Sequence, residues 1–325
     1  MTQARICAVG AGRMGRGIAH VFAYAGFEVA LLDAKPRAPE EFARLRDAAL
    51  AEIRNGLTTL AELGLFEATA IDRVVSRIRV VPRSDAAAAV GDATVVFEGV
   101  PEIKEAKAEA FALIDPHLAP GAVVASTTST FLVDELSGCL SRPERFLNAH
   151  WLNPAYLVPL VEVSPSERTE ETVTEALENL LVEVGKVPVR LKASPGYIVP
   201  RVQMLAMNEA ARLVEEGVAS AEDVDKALLY GLGFRFAVLG LLEFIDWGGN
   251  DILYYASRYM TGATGEGRFA APAIIDRNMH AGRNGLKDGV GFFDYRDRDL
   301  EAYRKSRLAG FLEQLRLAGL ARPPA

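Results

Sequence analysis

The feature that most constrains this chain is its opening stretch, Arg5 to Asp33. An apolar run, Ile6-Cys-Ala-Val9, stops at Gly10-Ala-Gly12. A helical pattern rich in small residues follows from Arg13 to Ala25, and a second apolar run, Phe27 to Leu32, ends on Asp33. Strand, glycine turn, helix, strand and acid, in that order, is the layout of a dinucleotide site. Gly10 permits the tight turn, Gly12 lets a pyrophosphate approach the backbone, and Gly15 lets the helix lie close on the sheet. The free N–H groups and dipole of the helix start, where Arg13 and Met14 stand, hold the phosphates. Asp33, about 20 residues past the turn, is placed to accept from an adenosine ribose 2′-hydroxyl. A carboxylate there repels a 2′-phosphate, so NAD is favoured over NADP. Lys35 and Arg37 soften that preference without reversing it. Taken without their flanks, the glycines read equally as a structural turn.

Composition narrows the remaining classes. A chain of 325 residues suits two domains and buries a sizeable core. With 50% apolar and 24% charged residues and a net charge of −7, it gives no reason to propose nucleic acid or an anionic membrane as partner. Cys7 and Cys139 are too few for a disulfide framework and lack metal-ligand spacing, and Cys7 reads as a small buried strand residue. The N-terminus enters a strand within a few residues, and no apolar run approaches a membrane span, so the expectation is a cytoplasmic protein.

Beyond Asp33, apolar positions at helical spacing (Leu50, Ile53, Leu57, Leu60, Leu63) predict a helix from Pro39 to Leu65 and another from Ala68 to Ile78, projecting together as a hairpin. Short strands are predicted at 79–81, 93–98, 122–126 and 145–149, with helices near 85–90, 102–117 and 131–140. Two more strands, 160–163 and 187–191, flank a helix at 171–184. Alternation of this kind predicts an α/β fold: a Rossmann-type, doubly wound, mostly parallel sheet with right-handed crossovers. Strand signal ends near Ser194-Pro195-Gly196. Helices are predicted at about 197–215, 221–231, 236–260, 268–283 and 299–320. The predicted domains are therefore 1–193, binding NAD, and 194–325, all-helical. Long apolar helices in the second domain predict a homodimer formed through it.

In an open parallel sheet, ligands bind beyond the carboxyl ends of the strands. That selects Glu98 to Glu102, Ser126 to Thr130 and Asn148 to Asn153. Of the chain's four histidines, His150 alone stands at such an edge. Twelve residues on, Glu162 interrupts the apolar strand Leu-Val-Glu-Val, and a carboxylate there needs a partner. A histidine–carboxylate pair beside a nicotinamide suits an alcohol dehydrogenase: the imidazole takes the hydroxyl proton while the carbinol carbon gives up hydride, and the carboxylate fixes the tautomer. Separately, each residue also reads as structural, His150 as a core histidine and Glu162 as a solvent-facing strand position.

With these segments in register, the chain resembles the 3-hydroxyacyl-CoA dehydrogenases and their relatives that act on free hydroxy acids. His150-Trp-Leu-Asn153-Pro154, with Glu162 downstream, resembles the family's H-x-x-N-P…E segment. Ser126-Thr-Thr-Ser129-Thr130 resembles its S-N-T-S-S stretch, and Glu98-Gly-Val-Pro-Glu102 its E-x-V/I-x-E segment. Gly285-Leu-Lys-Asp-Gly289-Val-Gly291-Phe-Phe-Asp-Tyr295 resembles its closing glycine-rich motif. The resemblance implies that His150 is the general base, Glu162 its partner and Ser129 the group that binds the substrate hydroxyl. It implies that Asn153 contacts the nicotinamide amide or the substrate carbonyl, and that Glu102 and Lys107 line the nicotinamide side.

Three departures bear on the substrate. Members that bind coenzyme A carry lysines on the helix after the second strand, whereas Asn55 to Phe66 has no basic residue. Arg235, in Gly231-Leu-Gly-Phe-Arg-Phe, stands where CoA-type relatives tend to have proline, and in this the chain resembles the carnitine and gulonate dehydrogenase branch, which has a basic residue there. Arg235 either anchors a substrate carboxylate through a two-pronged contact, caps a helix, or pairs with Glu243 or Asp246. Pro200 replaces an asparagine that helps position substrate, with Gln203 or Asn208 as substitutes; it also reads as a tolerated first-turn proline. The expected activity is NAD-dependent interconversion of a 3-hydroxy acid, free or as a CoA thioester, and its 3-keto product. The competing classes are a catalytically weak NAD-binding structural or sensing protein and a decarboxylating dehydrogenase that uses a lysine.

Overall fold

The computed structural model describes residues 4–324. Eight strands form one sheet in the order β3-β2-β1-β4-β5-β6-β7-β8. They are β1 (Ile6–Val9), β2 (Val29–Leu32), β3 (Ile78–Val81), β4 (Val95–Glu98), β5 (Val123–Ser126), β6 (Phe146–Trp151), β7 (Leu160–Pro165) and β8 (Val187–Arg190). All neighbours run parallel except β6 and β7, so the sheet is mostly parallel, as the alternating pattern predicts. The strand order reverses between β1 and β4, which leaves a crevice at their carboxyl ends.

The strands are continuous apolar runs because both faces of the sheet are covered. Ile6 and Ala8 of β1 point into a core shared with α1 (Arg13–Tyr24), α2 (Pro39–Glu62) and α7 (Glu171–Glu183). Cys7 and Val9 point the other way, into a core with α4 (Ala86–Gly91), α5 (Lys104–Ile114) and α6 (Val133–Ser137). Burial pushes the Cys7 thiol up to about 12, so it behaves as an apolar filler. Phe22 packs among Phe27, Phe97 and Trp151 in the first core.

The predicted projecting hairpin is not observed. Ala49, Ile53, Leu57 and Leu60 of α2 are buried, and its second arm shortens to a single turn of 3₁₀-helix and α3 (Ile71–Val75), because Ile78 joins β3.

The chain divides into one compact unit up to Leu205 and a second from Ala206. The division falls inside α8 (Val199–Glu215), later than the predicted boundary at 193/194. The first turn of α8 is tied to the sheet: Ile198 N and Val199 N donate to Glu162, and the Tyr197 hydroxyl donates to the Thr128 carbonyl.

The second unit contains no strands among the described residues. Its helices are the rest of α8, α9 (Ala221–Ala227), α10 (Phe234–Phe236), α11 (Leu241–Gly248), α12 (Asn250–Thr264), α13 (Ala273–His280) and α14 (Leu300–Leu317). A π-helical turn, Leu228–Gly233, joins α9 to α10. The single helix predicted over 236–260 is broken twice, at Ala237 to Gly240 and at Gly249, whose φ of +112° only glycine adopts readily. The glycine-rich closing motif wraps Asp246. Phe292 N and Phe293 N each donate to its carboxylate at 2.9 Å, and the Tyr295 hydroxyl donates at 3.1 Å. A Cβ on Gly285 would lie 2.2 Å from the Asp246 carbonyl oxygen, so this motif is a keystone of the helical unit.

His20 of α1 is buried and stacks on Tyr156, with centroids 4.6 Å apart. Burial and the nearby Lys186 charge push its pKa down to about 4, against about 6.5 for an unfolded histidine. Between those values the unfolded chain binds the extra proton, so stability present above pH 6.5 is lost as pH falls toward 4, on the order of 3 kcal/mol in all. Urea unfolding at pH 7.5 and 4.5 is expected to show most of this loss in the wild type and its absence in His20→Phe. Equal losses in the two proteins would remove His20 as the cause.

Candidate active site

The turn from β1 into α1 has the geometry that a nucleotide site requires. Gly10 has φ of +102°, and a Cβ there would lie 2.9 Å from the Gly99 carbonyl oxygen. A Cβ on Gly15 would lie 1.9 Å from the Gly10 carbonyl oxygen, so strand and helix meet only because both residues lack one. Gly12, the N-cap of α1, faces open space, and no side chain caps the helix. Its first N–H groups are therefore available to an anion.

A cavity of about 700 Å³ opens from this turn. At one end lie Asp33, Lys35, Arg37 and Arg83; Gly10, Gly12, Arg13 and Met14 line its middle; Glu102, Ser129 and Asn153 line its other wall. The length, the uncapped helix and the carboxylate at the β2 end fit a dinucleotide. Of the sequence-predicted cofactor residues Gly10, Gly12, Arg13, Met14, Asp33, Glu102, Ser129 and Asn153 share this surface, and Gly15 lies beneath it.

Lys107 departs from the expectation. It is fully buried and does not line the cavity. Its ammonium lies 3.1 Å from both Glu98 carboxylate oxygens and 3.3 Å from Glu102 Oε2, while the Ser126 hydroxyl donates to Glu98 at 2.5 Å. An ammonium removed from water needs that many anionic partners, which is why the side chain turns inward. Glu102 in turn holds the turn that carries Ser129. Its Oε1 accepts from Ser129 N at 3.0 Å, Thr130 N at 2.9 Å, the Thr130 hydroxyl and the Thr128 hydroxyl. Burial alone would raise the Glu102 pKa, but these bonds and the Lys107 charge hold it below the usual carboxylate range.

The second half of the site lies on β6 and β7. Antiparallel pairing sets His150 directly opposite Glu162, and His150 Nδ1 lies 2.8 Å from Glu162 Oε2, with both side chains buried. A carboxylate only accepts, so Nδ1 carries the hydrogen and Nε2 keeps its lone pair. Glu162 Oε1 accepts from Ile198 N at 2.8 Å and Val199 N at 2.9 Å, the first donors of α8. Pro200 sits in the first turn of that helix and withdraws no donor that the turn needs.

Tyr197, not singled out from sequence, links the two halves. Its ring stacks on His150 at 4.7 Å between centroids and 19° between planes, and its hydroxyl donates to the Thr128 carbonyl, next to Ser129. Among the described residues it is the one non-glycine residue with positive φ, 47°, which points to a conformation held by its contacts. The ring of His150 is not itself part of the cavity wall.

Arg235 belongs to the second unit and is exposed. Its guanidinium lies over Phe244, 5.3 Å from the ring centroid. It pairs with neither predicted partner. Glu243 is taken by Tyr303 and Arg307, and Asp246 by the closing motif.

Residues 5–194 match the family described as 3-hydroxyacyl-CoA dehydrogenase, NAD binding domain, and residues 196–295 match its C-terminal domain. The chain belongs to the 3-hydroxyacyl-CoA dehydrogenase family. It is 31% identical to the 5-formyl-3-hydroxy-2-methylpyridine 4-carboxylate 5-dehydrogenase of Mesorhizobium japonicum, over 93% of this chain and 94% of that one. It is also 31% identical to a probable 3-hydroxybutyryl-CoA dehydrogenase of Bacillus subtilis, over 90% and 98%. The crystal structure of a 3-hydroxyacyl-CoA dehydrogenase from Archaeoglobus fulgidus superposes with a TM-score of 0.77 at 30% identity, covering 98% of this chain and all of that one. The protein is thus an oxidoreductase of this family, and its cofactor is NAD.

Removing the Lys107 charge leaves the fully buried Glu98 carboxylate without its cation. Lys107→Met is expected to lower unfolding free energy by about 3–5 kcal/mol, measured by urea denaturation, with Glu98→Gln in the same chain recovering part of it. A single variant as stable as the wild type would show that the ammonium does not hold this cluster.

Proposed function

We propose that the protein interconverts a small 3-hydroxy acid and its 3-keto product, with His150 as general base and Glu162 as its orienting partner. The observation that carries the reading is the buried His150–Glu162 bond, whose geometry leaves Nε2 as a proton acceptor. NAD, when bound, supplies the hydride acceptor. The hydroxyl proton passes to His150 Nε2, and Glu162 stabilises the imidazolium that forms. The Ser129 hydroxyl bonds the substrate hydroxyl and orients it toward the imidazole. Asn153 holds the nicotinamide amide or the substrate carbonyl.

Two features favour a free carboxylate over a CoA thioester. The segment from Asn55 to Phe66, the end of α2 and the turn after it, offers no cation, and Arg16 and Arg54 beside it are engaged, with Glu52 and Asp72, which leaves Arg13 as the cation of that pocket. Arg235 has no carboxylate partner among the described residues, and in this reading it takes the substrate's. The Mesorhizobium relative is named for a carboxylate substrate, which agrees; the Bacillus relative is named for a thioester and supports the alternative. The same reading pairs two copies through the helical unit, where α12 exposes Ile252, Tyr255 and Tyr259 along one face.

His150→Gln is expected to lower kcat by about 10²–10⁴-fold while leaving NAD affinity unchanged by titration calorimetry. Undiminished turnover would remove His150 as the base. Supplying NAD with a panel of free 3-hydroxy acids and 3-hydroxyacyl-CoA thioesters, and following NADH absorbance, is expected to single out a free acid. Arg235→Ala should then raise KM for that acid about 10- to 100-fold, and an unchanged KM would return the thioester reading to first place.

A further inference from the structure

The adenosine end of the cavity carries more positive charge than an NAD-only site needs. A carboxylate after the second strand favours NAD by accepting from the ribose 2′-hydroxyl and repelling a 2′-phosphate. Here both oxygens of that carboxylate are already used. Asp33 Oδ2 accepts from Arg37 Nε at 2.5 Å, and Oδ1 accepts from Lys35 N at 3.3 Å. The Asp33 side chain is 5% exposed, and the more exposed Arg37 guanidinium is paired directly with its carboxylate.

Arg83 adds a second guanidinium from the turn after β3, anchored by a bond from Nη1 to the Ala34 carbonyl. Lys35, Arg37 and Arg83 all line the cavity and outnumber its two carboxylates at this end, Asp33 and Glu109. The arginine-bearing segment is stiff. Pro36 precedes Arg37 and Pro39 opens α2, which restricts the backbone, and the bond to Asp33 positions the guanidinium. Arg37 uses Nε for Asp33, and neither of its Nη groups has a carboxylate partner among the described residues. Paired Nη donors are what a phosphate dianion recognises.

We propose that this cavity also accepts NADP, with Arg37 neutralising Asp33 and gripping the 2′-phosphate together with Lys35 and Arg83. With NAD, the ribose hydroxyl takes the Asp33 oxygen that Arg37 otherwise holds. The arginine therefore decides how far the carboxylate discriminates. The inference rests on the nucleotide cavity alone and not on the substrate or base assigned above.

Calorimetry with two fragments tests it without any turnover. The wild type is expected to bind adenosine 2′,5′-bisphosphate at least as tightly as 5′-AMP. Arg37→Ala is expected to weaken the bisphosphate tenfold or more and to leave AMP within threefold, which also reports that the variant is folded. In steady-state assays the same substitution should raise the preference for NAD over NADP tenfold or more. A bisphosphate bound more weakly than AMP by the wild type, a loss below tenfold in Arg37→Ala, or a parallel loss of AMP overturns the proposal. An enzyme inactive on every hydroxy acid but showing the expected fragment affinities would refute the substrate reading and leave this one standing.

Discussion

The site depends on one carboxylate that spends both its oxygens. Glu162 lies in the sheet, out of water, where an anion persists only if its lone pairs are met. One oxygen faces the His150 ring and the other takes two backbone donors from the start of α8. The ladder between β6 and β7 brings Glu162 opposite His150, and the burial that makes the charge costly also keeps its partners in place. Ring orientation, tautomer and helix start are thus settled together.

Much of this was legible in the chain, for reasons that differ from residue to residue. Parallel strands covered on both faces appear as unbroken apolar runs, so the sheet and the glycine turn were readable, and Glu162 stood out because it breaks such a run. Tyr197 gave no comparable signal. An aromatic after Pro195-Gly196 reads as core, and its stack on His150 and bond to Thr128 exist only once distant segments meet. The family resemblance set Lys107 on the nicotinamide side, and nothing in the sequence showed that Glu98 and Glu102 would draw its ammonium inward. The long helix predicted over 236–260 failed at Ala237 to Gly240 and at Gly249, whose positive φ is set beside Asp251 and is not visible in the apolar periodicity.

Two clusters of charge frame the cavity and solve the same problem differently. At the Ser129 end, Glu98, Lys107 and Glu102 form a closed set, with the cation wholly enclosed and Glu102 turned outward to fasten a run of backbone N–H groups. That arrangement gives a turn on an exposed edge a fixed shape that hydroxyl side chains alone would not supply. At the Asp33 end the set is open, with guanidiniums reaching the surface and donors left over. One cluster sets a shape; the other leaves charge to offer.

The antiparallel pairing of β6 and β7 has a further implication for how the molecule fails. Side chains alternate across a strand, so a shift of one residue between these two would carry Glu162 to the opposite face of the sheet. The acid–imidazole contact lies on β6 and β7, and β7 adjoins the edge strand β8, which is only partly covered, whereas the nucleotide turn follows β1, four strands away from β7. In the proposed reaction, loosening that begins at β8 reaches the proton acceptor before it reaches the dinucleotide cradle. Grip on the coenzyme and chemical competence need not vanish together.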